Sequence, residues 1–131
     1  MALRRGGYLI SFHASIDRTV FDAELLADVQ RLIPPERLRE YLRELDRQLQ
    51  LLLEAAVSDE SLAQRAHKIV SQAGMLGLTR MSQCARVLEE ACRAGNGQAA
   101  AQGECRAATG DIERYAMPAA ALPPEAKTAN G

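Results

Sequence analysis

Tryptophan is absent from the chain, and two phenylalanines and three tyrosines are its only aromatic residues. Leu, Ala, Val, Ile and Met must therefore build any core, a set that suits packed helices better than strands. Long apolar runs are also missing. None approaches the roughly 18–20 residues that a bilayer-spanning helix needs, so no membrane span is expected. A surplus of either charge is missing too: 16 Lys+Arg stand against 17 Asp+Glu, a formal net charge of -1. Such a chain carries no global basic field for nucleic acid or an anionic membrane. Paired cysteines are lacking. Cys84, Cys92 and Cys105 make an odd set without CxxC spacing, which argues against a disulfide framework or a zinc site. Read as reduced and partly buried, they point to the cytoplasm. The opening MALRRGGYLISFHAS sets two Arg before an apolar stretch, but that stretch is too short for a signal peptide and contains His13.

What is present is apolar residue at helical spacing. With 131 residues, 47% of them hydrophobic, the chain can form one domain around one core. Residues 1–16 lack periodicity and read as an arm. Asp22 can cap a short helix over 22–32, with Leu25, Leu26, Val29, Leu32 and Ile33 as its stripe. Pro34-Pro35 separates it from a second helix running to about Val57, where Leu38, Leu42, Leu45, Leu49, Leu52 and Ala56 recur at three-four spacing. Opposite them lie Arg37, Glu40, Arg43, Glu44 and Arg47, a solvated face with i,i+4 support.

A third helix is expected over 59–76, with Leu62, Ala66, Ile69, Ala73 and Leu76 inward and Gly77 as its stop. The fourth, over 78–94, carries Met81, Cys84, Ala85, Leu88, Ala91 and Cys92. Gly95-Asn96-Gly97 then makes a turn. A fifth helix over 98–116 keeps Ala101, Cys105, Ala108, Ile112 and Tyr115 in register, although Gly103 and Gly110 weaken it. Residues 118–131 read as a disordered Pro/Ala-rich tail. Short turns between helices of similar length imply an all-α, up-down-up-down antiparallel four-helix bundle over 17–117, with a short leading helix covering its end. The starting Met and the tail suggest a free-standing domain.

His67 falls at the edge of the third helix's apolar stripe, so the base of its ring can rest on the bundle while one nitrogen meets water. Its neighbours at i−4, i+4 and i+7 are Ala63, Ser71 and Gly74, all small, which leaves the imidazole in a clearing. Gly74 inside a helix costs about 1 kcal/mol relative to Ala, which implies either close helix packing or access for a partner. Arg65 and Lys68 are nearby cations that would favour an incoming dianion. A neutral imidazole is a nucleophile at cytoplasmic pH. The bland alternative is a solvated bystander histidine.

The stretch AHKIVSQAGMLGLTRMSQCARVLEEACR, Ala66 to Arg93, resembles the signature of histidine-containing phosphotransfer (HPt) domains. The matching residues are Ala66-His67, Leu76-Gly77, Met81, Ala85 and Leu88-Glu89. The resemblance implies that His67 is phosphorylated on Nε2. It implies as partners a response regulator receiver domain, a hybrid histidine kinase, or both, with Mg²⁺ supplied by the receiver and no cofactor held by this chain. It also implies a stoichiometric phosphocarrier without kinase or ATP-binding activity, and the chain has no glycine-rich nucleotide loop. Two positions depart from the family pattern: Val70 and Ser71 stand where Lys and Gly are usual. Ser71 is still small. Lys68 is the expected replacement cation, with Arg65 as the second candidate.

The resemblance also implies that Glu89 stands where family members often have a polar residue near the imidazole, so that it would accept a proton from Nδ1 and fix the tautomer; a solvated carboxylate is the competing reading. The partner face is expected from Gln64, Arg65, Lys68, Ser71, Gln72 and Gly74, with Val70 and Met75 as an apolar rim. His13, in the arm, has no ligand set around it, and the cysteines read as packing residues. A non-transferring module that binds a response regulator with His67 idle is the alternative function. A metal- or haem-binding bundle is a weaker third reading.

Overall fold

The computed structural model describes residues 17–124. The described residues are helical, without strands: α1 (Ala23–Gln30), α2 (Pro35–Glu54), α3 (Leu62–Met75), α4 (Thr79–Ala94) and α5 (Gln98–Cys105). A 3-10 turn (Arg106–Ala108), a π-helical turn (Ile112–Ala116) and the short α6 (Met117–Ala120) complete them. The arm over 1–16 with His13, and residues 125–131 of the expected tail, lie outside the described residues.

Local chemistry explains most of the boundaries. Asp22 caps α1: its Oδ1 accepts from the N–H groups of Glu24 (3.1 Å) and Leu25 (3.4 Å). Pro35 occupies the first turn of α2, where a missing N–H costs nothing. Helix α3 starts three residues later than its periodicity suggests, because Asp59 Oδ1 accepts from both the N–H and the hydroxyl of Ser61 at 2.8 Å. That side chain stabilises a turn in place of the first helical turn. At the other end of α3, Leu78 N–H donates to Ala73 O (2.9 Å) and Gly77 N–H to Gly74 O (3.3 Å). This is a Schellman closure, with Gly77 at φ +81.

The core matches the expected stripes on the long helices. Leu38, Leu42, Leu45, Leu49 and Leu52 of α2 are buried against Leu62, Ala66, Ile69 and Ala73 of α3 and Met81, Ala85 and Leu88 of α4. Each buried Leu contributes about 1.5–3 kcal/mol of hydrophobic stabilisation. On α1 the stripe differs. Leu26 and Ala27 are buried while Leu25 and, beyond the helix end, Leu32 are exposed, so α1 presents a narrow line of contact. Cys84, Ala91 and Cys92 are only partly covered. Phe21, ahead of α1, is buried and stacks on Tyr115 at a centroid distance of 6.0 Å.

The C-terminal part corrects two expectations. No continuous helix runs over 98–116. Thr109 is extended and Gly110 has φ +95, so the chain breaks there and resumes as a π turn. Cys105, Ala108 and Ile112 nevertheless remain buried. Nor does the ordered domain end at 117. Ala119 and Ala120 are buried, and Gln30 Nε2 of α1 donates to the carbonyls of Ala120 (3.2 Å) and Leu122 (2.8 Å). These bonds satisfy carbonyls that a helix end leaves without partners.

Candidate functional site

Helices α3 and α4 carry the site, and small side chains bring them close. A Cβ on Gly74 would lie 3.4 Å from Ser82 Oγ, and that hydroxyl donates to Val70 O at 2.8 Å. Gly74 is thus accounted for by helix packing. It is half-buried against α4.

His67 stands on the outer edge of α3. Its neighbour Ala66 is buried in the core, while the imidazole side chain is 65% exposed. Nδ1 lies 2.9 Å from Oε2 of Glu89 on α4. Glu89 is 13% exposed at its side chain and receives a second donor. Arg93, one turn further along α4, donates to the same oxygen from Nη2 (2.7 Å) and Nε (3.3 Å). The Arg93 guanidinium, and next the His67 ring, hold the Glu89 carboxyl below the usual carboxylate range against the opposing effect of partial burial. An ionised carboxylate only accepts, so the neutral ring carries its hydrogen on Nδ1 and leaves the Nε2 lone pair open. Among the described residues no hydrogen bond engages Nε2.

The other expected site residues divide into two groups. Gln64, Lys68 and Ser71 are exposed and lie within about 100° of His67 on the helical wheel, so they share its face. Met75 continues that face and is 66% exposed. Arg65 and Gln72 turn away. Arg65 is half-buried with Nε donating to Ser61 Oγ (3.1 Å), and Gln72 buries its Oε1 without a partner among the described residues. The hydrogen bonds from Arg47 and Gln48 hold Glu44 down to about 2, and the charge of Lys68 adds a lesser effect. Val70 is half-buried against the core.

Sequence reading missed three features. Arg93 was visible only as the i+4 partner of Glu89. Ser82 gave no signal. The third is a buried ion pair: Arg80 grips Asp111 through Nη2–Oδ1 (2.6 Å) and Nε–Oδ2 (3.1 Å), fixing the start of α4 to the π turn. Among the described residues no three His, Cys, Asp or Glu are grouped to hold a metal ion, and no helix is long and apolar enough to cross a membrane.

Comparison with family models matches the Hpt domain over residues 36–116, from the first turn of α2 to the π turn. The chain belongs to the Hpt domain family. Hpt domains act in two-component phosphorelays, where they carry a phosphoryl group on histidine between receiver domains and kinases and are not kinases themselves. Searches of curated proteins and of solved structures returned no match. The matched span holds both halves of the site described above, His67 on α3 and Glu89 with Arg93 on α4.

Proposed function

We propose that this Hpt domain is a cytoplasmic, stoichiometric phosphocarrier that accepts and donates a phosphoryl group on Nε2 of His67. The supporting observation is the anchored but exposed imidazole, with Nδ1 bonded to Glu89 and the opposite nitrogen free. In the reaction, the Nε2 lone pair attacks the phosphorus of a receiver aspartyl phosphate. The N–P bond forms as the P–O bond to aspartate breaks, and the carboxylate leaves. Positive charge that builds on the ring is met at Nδ1–H by the Glu89 carboxylate. Catalysis of this kind rests on positioning and charge stabilisation. The receiver supplies Mg²⁺. In this reading the helices form an up-down-up-down antiparallel bundle that presents α3 outward.

Partners would be a response regulator receiver domain, a hybrid histidine kinase, or both. They would dock on Gln64, His67, Lys68 and Ser71, with exposed Met75 as an apolar contact. Lys68, exposed on the same face, would steady the phosphoryl group in place of the lysine that Val70 replaces. Incubation with a ³²P-labelled receiver tests the reading. Acid-labile, base-stable label is expected on the wild type and none on His67→Gln. Absence of label on the wild type with any receiver of the host refutes it. The Val70 and Ser71 departures favour one rival, a module that binds a receiver with His67 idle. That rival predicts binding without label and an unaltered signalling output for His67→Gln.

A further inference from the structure

One oxygen, Glu89 Oε2, is shared by His67 Nδ1 at 2.9 Å and by Arg93 at 2.7 Å through Nη2 and 3.3 Å through Nε. Sharing is informative because a carboxylate has two equivalent oxygens and a freely rotating stem. Without a second restraint, either oxygen could face the ring, or the side chain could turn to water. Arg93 grips the very oxygen that serves His67. It is anchored one turn along the same helix, so its pull runs along the helix axis and holds the Glu89 side chain alongside the ring.

Charge points the same way. A lone carboxylate beside the histidine would repel an arriving dianionic phosphoryl group, and Arg93 balances that charge next to Nδ1. Of the two cations that share α3 with His67, Arg65 donates to Ser61 and Lys68 is exposed, whereas Arg93 bonds the carboxylate beside the ring. Helix stability gives little reason for the pair, because an exposed i,i+4 ion pair contributes little, and Arg93 is 63% exposed.

We infer that Arg93 is a positioning residue for phosphotransfer: it locks Glu89 in the rotamer that keeps the hydrogen on Nδ1 and the Nε2 lone pair open. The inference rests on the phosphocarrier reading for its kinetic consequence, but not for its structural one. Arg93 reaches the reacting nitrogen only through Glu89, and it lies on the Nδ1 side of the ring, away from the phosphorus. Its loss should therefore alter which ring nitrogen is protonated before any partner binds.

The test compares the full-length wild type with Arg93→Ala and Arg93→Lys. Ring ¹⁵N shifts of His67 are read at alkaline pH, and transfer from a phosphorylated receiver is timed. The wild type should show a protonated Nδ1 and a bare Nε2. Arg93→Ala should shift the ring toward a mixture of tautomers. Its transfer should slow in proportion to the lost population of the open form, about three- to tenfold. Arg93→Lys, which can still donate to Glu89, should recover most of both. Unchanged ring shifts in Arg93→Ala overturn the inference, whatever happens to the rate. If the wild type accepts no phosphoryl group but the ring still answers to Arg93, the carrier reading fails and the clamp stands.

Discussion

Gly77→Ala is expected to be among the most damaging single-methyl additions to this protein, and Gly95→Ala supplies its control. Both glycines sit at nearly the same positive φ, +81 and +80. An alanine there costs about 1–2 kcal/mol from Cβ–backbone crowding alone. Their surroundings differ. A Cβ at Gly95 meets nothing within 4 Å, whereas at Gly77 it would overlap the carbonyl oxygen of Asp22 and lie 3.2 Å from the Asp22 carbonyl carbon. These are backbone atoms, so the segment ahead of α1 must withdraw. Withdrawal breaks the bond from Asp22 N–H to Gly77 O (2.7 Å), a loss of about 0.5–1.5 kcal/mol. It also uncovers Phe21, whose burial contributes up to about 3 kcal/mol. The expected cost is about 3–6 kcal/mol for Gly77→Ala against about 1–2 for Gly95→Ala. Thermal melts followed by circular dichroism should then place Gly77→Ala roughly 10 °C or more below Gly95→Ala. Equal melting temperatures for the two variants would refute the steric argument. They would also remove the reason for tying the α3–α4 turn, and with it the His67–Glu89 geometry, to the Asp22 segment.

Arg80→Met should cost about 3–5 kcal/mol, because it strands an Asp111 carboxylate that is 0% exposed. Asp111→Asn should cost less, since the Arg80 side chain is 35% exposed and can turn to water; urea titrations that reverse this order contradict the assignment. The Glu44 carboxyl, held at about 2 by Arg47 and Gln48, has a folded value below its unfolded one. Its stabilising effect is therefore full above the ordinary glutamate range and lost as pH falls toward about 2. A ¹³C titration should show the midpoint rise in Arg47→Ala, and an unmoved midpoint rejects that cause. Lys68→Ala should slow phosphoryl transfer about tenfold if its ammonium steadies the group in place of the absent lysine; an unchanged rate rules the substitution out. His67→Gln should abolish the label yet shift stability by no more than about 0.5 kcal/mol, given an exposed side chain. A large loss of stability would mean that the ring is structural.

Helical class, the cores of α2, α3 and α4, the Asp22 cap, the Gly77 stop and the exposed edge position of His67 were all legible in the sequence. The physical reason is that each is a local property. Periodicity of 3.6 residues decides which face of a long helix is apolar, and capping and left-handed turns depend on one or two side chains. Glu89 was legible as a candidate, and its Oε2 lies 2.9 Å from His67 Nδ1. Three-dimensional packing decided the rest. Thr109 and Gly110 break a helix whose spacing stays regular on both sides, because buried spacing can be preserved across a break while propensity is lost. The expected tail is held by Gln30, some ninety positions away in the chain, a bond that no local pattern announces. Arg65, Gln72 and Gly74 share a helix with His67, but Arg65 bonds Ser61 at the start of that helix, Gln72 buries its Oε1 and Gly74 packs against Ser82 of α4. Arg80–Asp111 and the Arg93–Glu89–His67 chain likewise exist only where separate segments meet. Local residue pattern thus determined the helices and the placing of the imidazole on an outer helix edge. Contacts between distant segments determined which charges surround it, because Coulomb forces and hydrogen bonds depend on distance in space and not on distance along the chain.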